Sequence, residues 1–231
     1  MVLPESPASK PGLSAQSVCE ELRVSTVRIK VCGITRPEDA RSAAEAGADA
    51  IGMVFYPPSP RYLHVEDAPA IVRAAGPFVT SVALFVNPDS EHVQRVLEVV
   101  RPQLLQFHGD EDDAFCRSFG RPYLKAIRIR PDTVIASAIA AYPCASGLLF
   151  DTWSADAYGG TGKAFDWNQL QGLSGFPLIL AGGLNPENVG QAVARLSPYG
   201  VDVSGGVESA PGIKDEVKIA RFVAAARRIH P

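Results

Sequence analysis

No apolar run in the 231-residue chain approaches the about 20 residues that a membrane-spanning helix needs. The stretch from Met1 to about Thr26 also lacks the apolar centre of a secretory signal, so neither a membrane nor export is expected and the chain is read as cytoplasmic. Cysteine is scarce. The four residues Cys19, Cys32, Cys116 and Cys144 form no CxxC pair and no Cys/His cluster at zinc-ligand spacing, which excludes a disulfide framework and a structural metal and leaves reduced thiols. Positive charge is not in surplus either: 22 Lys and Arg stand against 25 Asp and Glu, for a net charge of -3. Neither nucleic acid nor an anionic membrane is therefore an expected partner, and any anion site must be local. Two nucleotide fingerprints are also missing. Cys32-Gly33-Ile34-Thr35-Arg36-Pro37 is not GxGxxG, and Gly159-Gly160-Thr161-Gly162-Lys163-Ala164 fails as a P-loop, because position 157 is Ala157 and the magnesium-binding hydroxyl is replaced by Ala164.

What is present is ordinary globular composition, 46% apolar and 20% charged, in a chain long enough for one large core. Residues 1–26, rich in Pro, Ser and Lys up to Ser17, read as a flexible extension, and 27–231 as one catalytic domain. Val27 to Thr35 opens that domain as a strand. Side chains alternate along a strand, so Lys30 and Cys32 share one face while Val27, Ile29 and Val31 share the other. Thr35 as cap, Pro37 in the first turn and the acids Glu38 and Asp39 then predict a helix to Glu45 or Ala46, stopped by Gly47. The beat repeats. Further strands are predicted at 49–55, 80–86, 103–107, 123–127, 147–150, 177–180 and 201–203. Helices are predicted at 66–74, 88–100, 110–119, 131–141, from 166, at 186–196 and at 213–228. Eight such units point to α/β architecture, a single (β/α)8 TIM barrel. A doubly wound open sheet is the alternative, disfavoured by the absent glycine fingerprint.

In a barrel the carboxyl ends of the strands share one mouth, which brings Cys32, Phe55, Val86, His108, Arg128, Asp151, Gly182 and Ser204 together. The loops Gly182-Gly183 and Ser204-Gly205-Gly206 follow strands seven and eight, the usual phosphate cradle of this architecture, and each carries a Gly-Gly pair that lets backbone N–H groups approach an anion. Cys32 and Asp151 end strands on opposite sides of the mouth, where a thiol and a carboxyl suit a proton shuffle needing neither metal nor cofactor. Arg61, on the stiff Pro58-Ser59-Pro60-Arg61 loop, suits a carboxylate. His108 and Arg128 reach the mouth by register and are candidate substrate-binding residues. His64, His92 and His230 fall in a loop, a helix and the tail and read as structural or solvated. The long, Gly-rich segment from Thr152 to Lys163 reads as a lid. Lys30 and Asp202 face inward on strands that become neighbours on closure, which predicts a buried ion pair.

The motifs Lys30-Val31-Cys32-Gly33-Ile34, Gly52-Met53-Val54-Phe55 with Ser59-Pro60-Arg61, Gln106-Phe107-His108-Gly109, Phe150-Asp151-Thr152, Gly160-Thr161-Gly162-Lys163, Ala181-Gly182-Gly183-Leu184 and Asp202-Val203-Ser204-Gly205-Gly206-Val207-Glu208 together resemble those of the phosphoribosylanthranilate isomerases of tryptophan biosynthesis, from about Val27 to Arg228. The resemblance implies a cofactor-independent Amadori rearrangement of N-(5-phosphoribosyl)anthranilate. By motif, Cys32 matches the general base, Asp151 the general acid and Arg61 the group holding the anthranilate carboxylate; Gly182, Gly183, Ser204, Gly205 and Gly206 match the phosphate cradle. One departure is Gly205, where the family often has a serine; a backbone cradle tolerates it but loses a hydroxyl contact. A small phosphosugar is thus the expected partner, with the protein a monomer or homodimer. The acid must be neutral and the thiol partly thiolate: desolvation can raise the carboxyl, cationic neighbours such as Lys30 can lower the thiol, and bound substrate must reset both. Two alternatives fit less well. The histidine-pathway isomerase has an aspartate where Cys32 stands, and a non-catalytic phosphosugar-binding barrel has no use for the opposed thiol and carboxyl.

Overall fold

Eight parallel strands close on themselves in sequence order in the computed structural model, which describes residues 27–130, 133–152 and 167–228. The strands are β1 (Arg28–Cys32), β2 (Ala50–Val54), β3 (Thr80–Phe85), β4 (Leu104–Phe107), β5 (Tyr123–Ile129), β6 (Gly147–Thr152), β7 (Leu178–Leu180) and β8 (Gly200–Val203). The barrel closes where β1 pairs with β8, with Arg28 opposite Gly200 and Lys30 opposite Asp202. Around it lie α1 (Pro37–Glu45), α2 (Ala68–Ala75), α3 (Ser90–Val99), α4 (Asp113–Arg117), α5 (Ile135–Ala140), α6 (Val189–Leu196) and α7 (Glu216–Arg227). Among the described residues no helix is long and apolar enough to cross a membrane.

The period of two sorts the side chains. Val31, Ile51, Phe85, Phe107 and Phe150 point outward into the shell beneath the helices. Leu124, Ala126, Leu149, Ile179 and Ala181 fill the barrel's interior. Cys32, Val54, Leu84 and Val86 form a third cluster that contributes to the mouth. Phe55 is a correction: it stacks on Phe85, ring centroids 5.8 Å apart, in the outer shell. The neighbouring Val54 and Tyr56 take the places at the mouth.

Four connections also differ from expectation. Helix α1 has Arg36 rather than Thr35 at its cap, with no side-chain capping bond; Thr35 instead donates its hydroxyl proton to the Gly212 carbonyl. The fourth helix shrinks to Asp113–Arg117, capped by Asp112, whose carboxylate accepts from the Phe115 N–H at 2.7 Å. The helix expected from 166 is, from Trp167 on, one 3₁₀ turn ending at Leu170, followed by two glycines at positive φ, Gly172 and Gly175. Residues 213 and 214 are not helical: β9 (Glu208–Ala210) and β10 (Ile213–Lys214) form a small antiparallel hairpin before α7.

Candidate active site

A cavity of about 460 Å³ opens at the carboxyl ends of the strands, within the range of small-ligand sites. Cys32, Arg61, His108, Asp151, Gly182, Gly183, Ser204, Gly205 and Gly206 all line it. Arg128 does not. It ends the inward row of β5 opposite Asp151 and bonds Asp110 at 2.8 Å. Of the expected lid only Thr152 falls within the described residues.

Cys32 is backed by ionic groups. Lys30 donates to Asp202 at 2.9 Å with both side chains buried, as the facing strands predicted. Burial alone would favour the uncharged amine, yet Asp202 and Cys32 together outweigh it and hold Lys30 above its ordinary 10.5, while burial, only partly offset by Lys30, pushes the Asp202 carboxyl up from 3.8. The Cys32 thiol is pushed up from 9.0 by burial, and the pull of Lys30 and Lys214 does not offset this. The cationic neighbours do lower the thiol, as expected of Lys30, but desolvation is the stronger effect and the net shift is upward. Space for the arrangement comes from Gly52, the register partner of Cys32. A Cβ there would lie 2.7 Å from Cys32 Sγ and 3.0 Å from Lys30 Nζ.

Across the mouth, His108 Nε2 lies 3.1 Å from Asp151 Oδ2, and Gln106 Nε2 lies 3.1 Å from His108 Nδ1. The turn after His108 is pinned from outside the barrel. Glu111 accepts from the N–H groups of Asn87 at 2.7 Å and Gly109 at 2.9 Å. Buried Lys125 donates to Glu111 at 2.8 Å and to the Gly109 carbonyl at 2.6 Å.

Arg61 is already paired. Its Nε and Nη2 donate to the two carboxylate oxygens of Glu208 at 2.8 and 2.7 Å, a bidentate fork. Glu208 also accepts from Lys214 Nζ at 2.7 Å, and Lys214 reaches the Ser204 carbonyl at 3.3 Å. Burial pushes the Glu208 carboxyl up, but Arg61 and Lys214 together hold it below its ordinary 4.5. Sequence reasoning quoted Glu208 without a role and missed Lys214, which it placed in a helix. The only available signal was the closing Val207-Glu208 of the motif after β8.

The two glycine loops are built for close backbone approach. Gly182 and Gly183 have φ of 79° and 67°, a region that side chains disfavour. Asn188 Nδ2 donates to the Gly183 carbonyl at 2.9 Å and fixes that turn. Gly206 packs against it so tightly that a Cβ would fall 1.9 Å from the Leu184 carbonyl oxygen. Among the described residues no three His, Cys, Asp or Glu side chains are grouped to hold a metal ion.

A closed eight-stranded barrel with a thiol, a carboxyl and two glycine loops around one mouth defines the class as a (β/α)8-barrel enzyme. Residues 29–225 match the family model of N-(5'-phosphoribosyl)anthranilate isomerase. The N-(5'-phosphoribosyl)anthranilate isomerase of Neisseria gonorrhoeae is 54% identical over 203 residues, 88% of this chain and 98% of that one. That of Pseudomonas fluorescens is 57% identical over 205 residues, 88% and 100% of the two chains. The crystal structure of the Thermotoga maritima enzyme superposes with a TM-score of 0.79 at 39% identity, covering 87% and 98%. A second structure of a phosphoribosylanthranilate isomerase, in complex with reduced 1-(o-carboxyphenylamino)-1-deoxyribulose 5-phosphate, has a TM-score of 0.73 at 37% identity, with the same coverage. The chain belongs to the phosphoribosylanthranilate isomerase family.

Proposed function

We propose that the mouth isomerises N-(5'-phosphoribosyl)anthranilate with Cys32 as general base and Asp151 as general acid. The product is 1-(2-carboxyphenylamino)-1-deoxyribulose 5-phosphate, formed in the cytoplasm during tryptophan biosynthesis. The observation that carries the residue roles is that Cys32 and Asp151 line one cavity from β1 and β6. A proton delivered by Asp151 to the furanose oxygen breaks the C1–O bond and leaves an iminium at C1. Removal of the C2 proton by the Cys32 thiolate then gives the enolamine, which tautomerises to the ketone. No proton or electron is gained overall. Burial favours the protonated thiol, so Cys32 first releases its own proton to solvent; the charge of Lys30 then balances the thiolate, and the positive iminium acidifies the C2 proton that the thiolate removes.

The backbone N–H groups of Gly182, Gly183, Ser204, Gly205 and Gly206 hold the phosphate, with Lys214 behind Ser204 adding positive charge. The guanidinium edge of Arg61 not used by Glu208 donates to the anthranilate carboxylate. His108 acts through Asp151, and Arg128 contributes at the rim. A relative from Thermotoga maritima is dimeric, so light scattering on this chain decides between monomer and homodimer.

The test follows the loss of phosphoribosylanthranilate fluorescence on adding purified protein. Cys32→Ser and Asp151→Asn should each lower kcat by about 10²- to 10⁴-fold, with affinity for a product analogue changed no more than a few-fold. Retention of more than about a tenth of wild-type kcat by either variant, against that ~10²-fold expectation, overturns the role of that residue.

A further inference from the structure

Gln106 lies on the inward side of β4, one alternation below His108, and has no exposed surface. Its register partners are Leu84 on β3 and Leu124 on β5, so an apolar side chain of similar size would suit the layer. Among the described residues the amide makes one hydrogen bond. Nε2 faces His108 Nδ1 at 3.1 Å, while Oε1 has no hydrogen-bond partner among the described residues. An unpaired buried carbonyl oxygen costs about 1–3 kcal/mol. Packing therefore gives no reason for an amide here, and the direction of its one bond does. A ring nitrogen that accepts from an amide N–H carries no proton of its own. An uncharged His108 then has its single ring proton on Nε2, directed at Asp151 Oδ2 3.1 Å away.

We infer that Gln106 is a positioning residue for the isomerisation, holding His108 as the uncharged Nε2–H tautomer so that Asp151 faces a neutral donor and can keep the proton it delivers. With Oδ2 accepting from His108, the carboxyl proton belongs on Oδ1. An imidazolium in the same place would form an ion pair with the carboxylate and oppose its protonation. The inference rests on Asp151 as the general acid.

The experiment is nitrogen NMR on protein labelled in its histidine rings, with His108 assigned by the signals lost in His108→Asn. In the wild type at neutral pH, His108 should show a protonated Nε2 and a bare Nδ1. Gln106→Glu places an acceptor against Nδ1 and should protonate both ring nitrogens. It should also lower kcat by at least ~10-fold, a part of what a positioned proton donor contributes, with KM within about 3-fold. Gln106→Leu, which suits the packing, should lower kcat without protonating Nδ1. A wild-type His108 with its proton on Nδ1 overturns the proposal even if Asp151→Asn is inactive, and this measurement needs no variant at position 106 to fold. An Asp151→Asn enzyme that keeps its activity overturns the reading of Asp151 and the proposal with it, whatever tautomer is observed. A Gln106→Glu enzyme with wild-type kcat overturns the proposal alone.

Discussion

Replacing Lys30 by Met removes one charge from the buried ion pair across the β1–β8 seam and leaves Asp202 behind. The two charged atoms are 2.9 Å apart, and their side chains are 7% and 8% exposed. At an effective dielectric of about 20 the attraction is roughly 6 kcal/mol, most of which compensates for taking both charges out of water. Deleting only the cation should therefore cost about 3–5 kcal/mol, the usual penalty for stranding a buried charge. For a domain of this size that is a fall in Tm of roughly 6–20 °C, at about 2–4 °C per kcal/mol. The companion variant, Lys30→Met with Asp202→Leu, removes both charges and should come within about 1 kcal/mol of the wild type. Urea unfolding followed by circular dichroism measures all three, together with the Asp202→Leu single, as a double-mutant cycle. The sign with pH is fixed. Burial lowers the Lys30 pKa while Asp202 and Cys32 raise it, with a net rise above 10.5, so on the basic side the pair's stabilisation fades as pH climbs through the folded lysine pKa; burial also pushes the Asp202 carboxyl above 3.8, so on the acid side the pair is lost as that carboxyl takes up a proton. A single mutant that loses less than about 1 kcal/mol at neutral pH, against the ~3–5 expected, would refute the assignment of a charged pair.

Two further outcomes are expected. Gly206→Ala puts a Cβ 1.9 Å from the Leu184 carbonyl oxygen, so the backbone of one glycine loop must shift; at about 1–3 kcal/mol of overpacking, KM should rise roughly 5- to 150-fold, and an unchanged KM would show that the loops are not the phosphate site. Of the three cysteines among the described residues, Cys144 is exposed and Cys116 is buried, with its thiol pushed up to about 12 by burial. A disulfide reagent should therefore modify Cys144 in the native protein and Cys116 only on unfolding; Cys116 reacting as fast as Cys144 would contradict that environment.

Alternation and turn residues are local properties, and the features that depend on them were legible. Eight strands, the helices around them and the opposed positions of Cys32 and Asp151 follow from period-two apolar runs broken by Gly, Pro and Asp. So does the meeting of Lys30 with Asp202, since barrel closure needs only the strand count. Phe55 shows how a local rule is misapplied. Choosing the last apolar residue of a strand put it at the mouth, whereas alternation counted from Gly52, the register partner of Cys32, turns Val54 inward and Phe55 outward. The β9–β10 hairpin was illegible because two- and three-residue strands carry too few alternations to register. The state of Arg61 was out of reach for a different reason: its counter-ion Glu208 lies 147 residues away, and nothing local to a proline-flanked loop announces that the fork is already occupied. The net height of the Cys32 thiol was out of reach because sequence names the neighbouring cations, which do lower it, but not the depth of burial that opposes them.

The seam between β1 and β8 also sets an order of events on the ribosome. Lys30 and Asp202 are 172 residues apart in the chain. At about 5–20 residues per second, synthesis separates them by roughly 9–34 s. Through that interval β1 lacks its β8 neighbour, and its interior carries a cation whose counter-charge has not yet been made. A nascent chain that stalls anywhere before β8 thus presents both an open strand edge and an unmatched ammonium, the two signals that mark an unfinished barrel for aggregation or disposal. Only emergence of the Gly200–Val203 strand conceals both at once, so the last barrel strand made is the one that certifies the other seven.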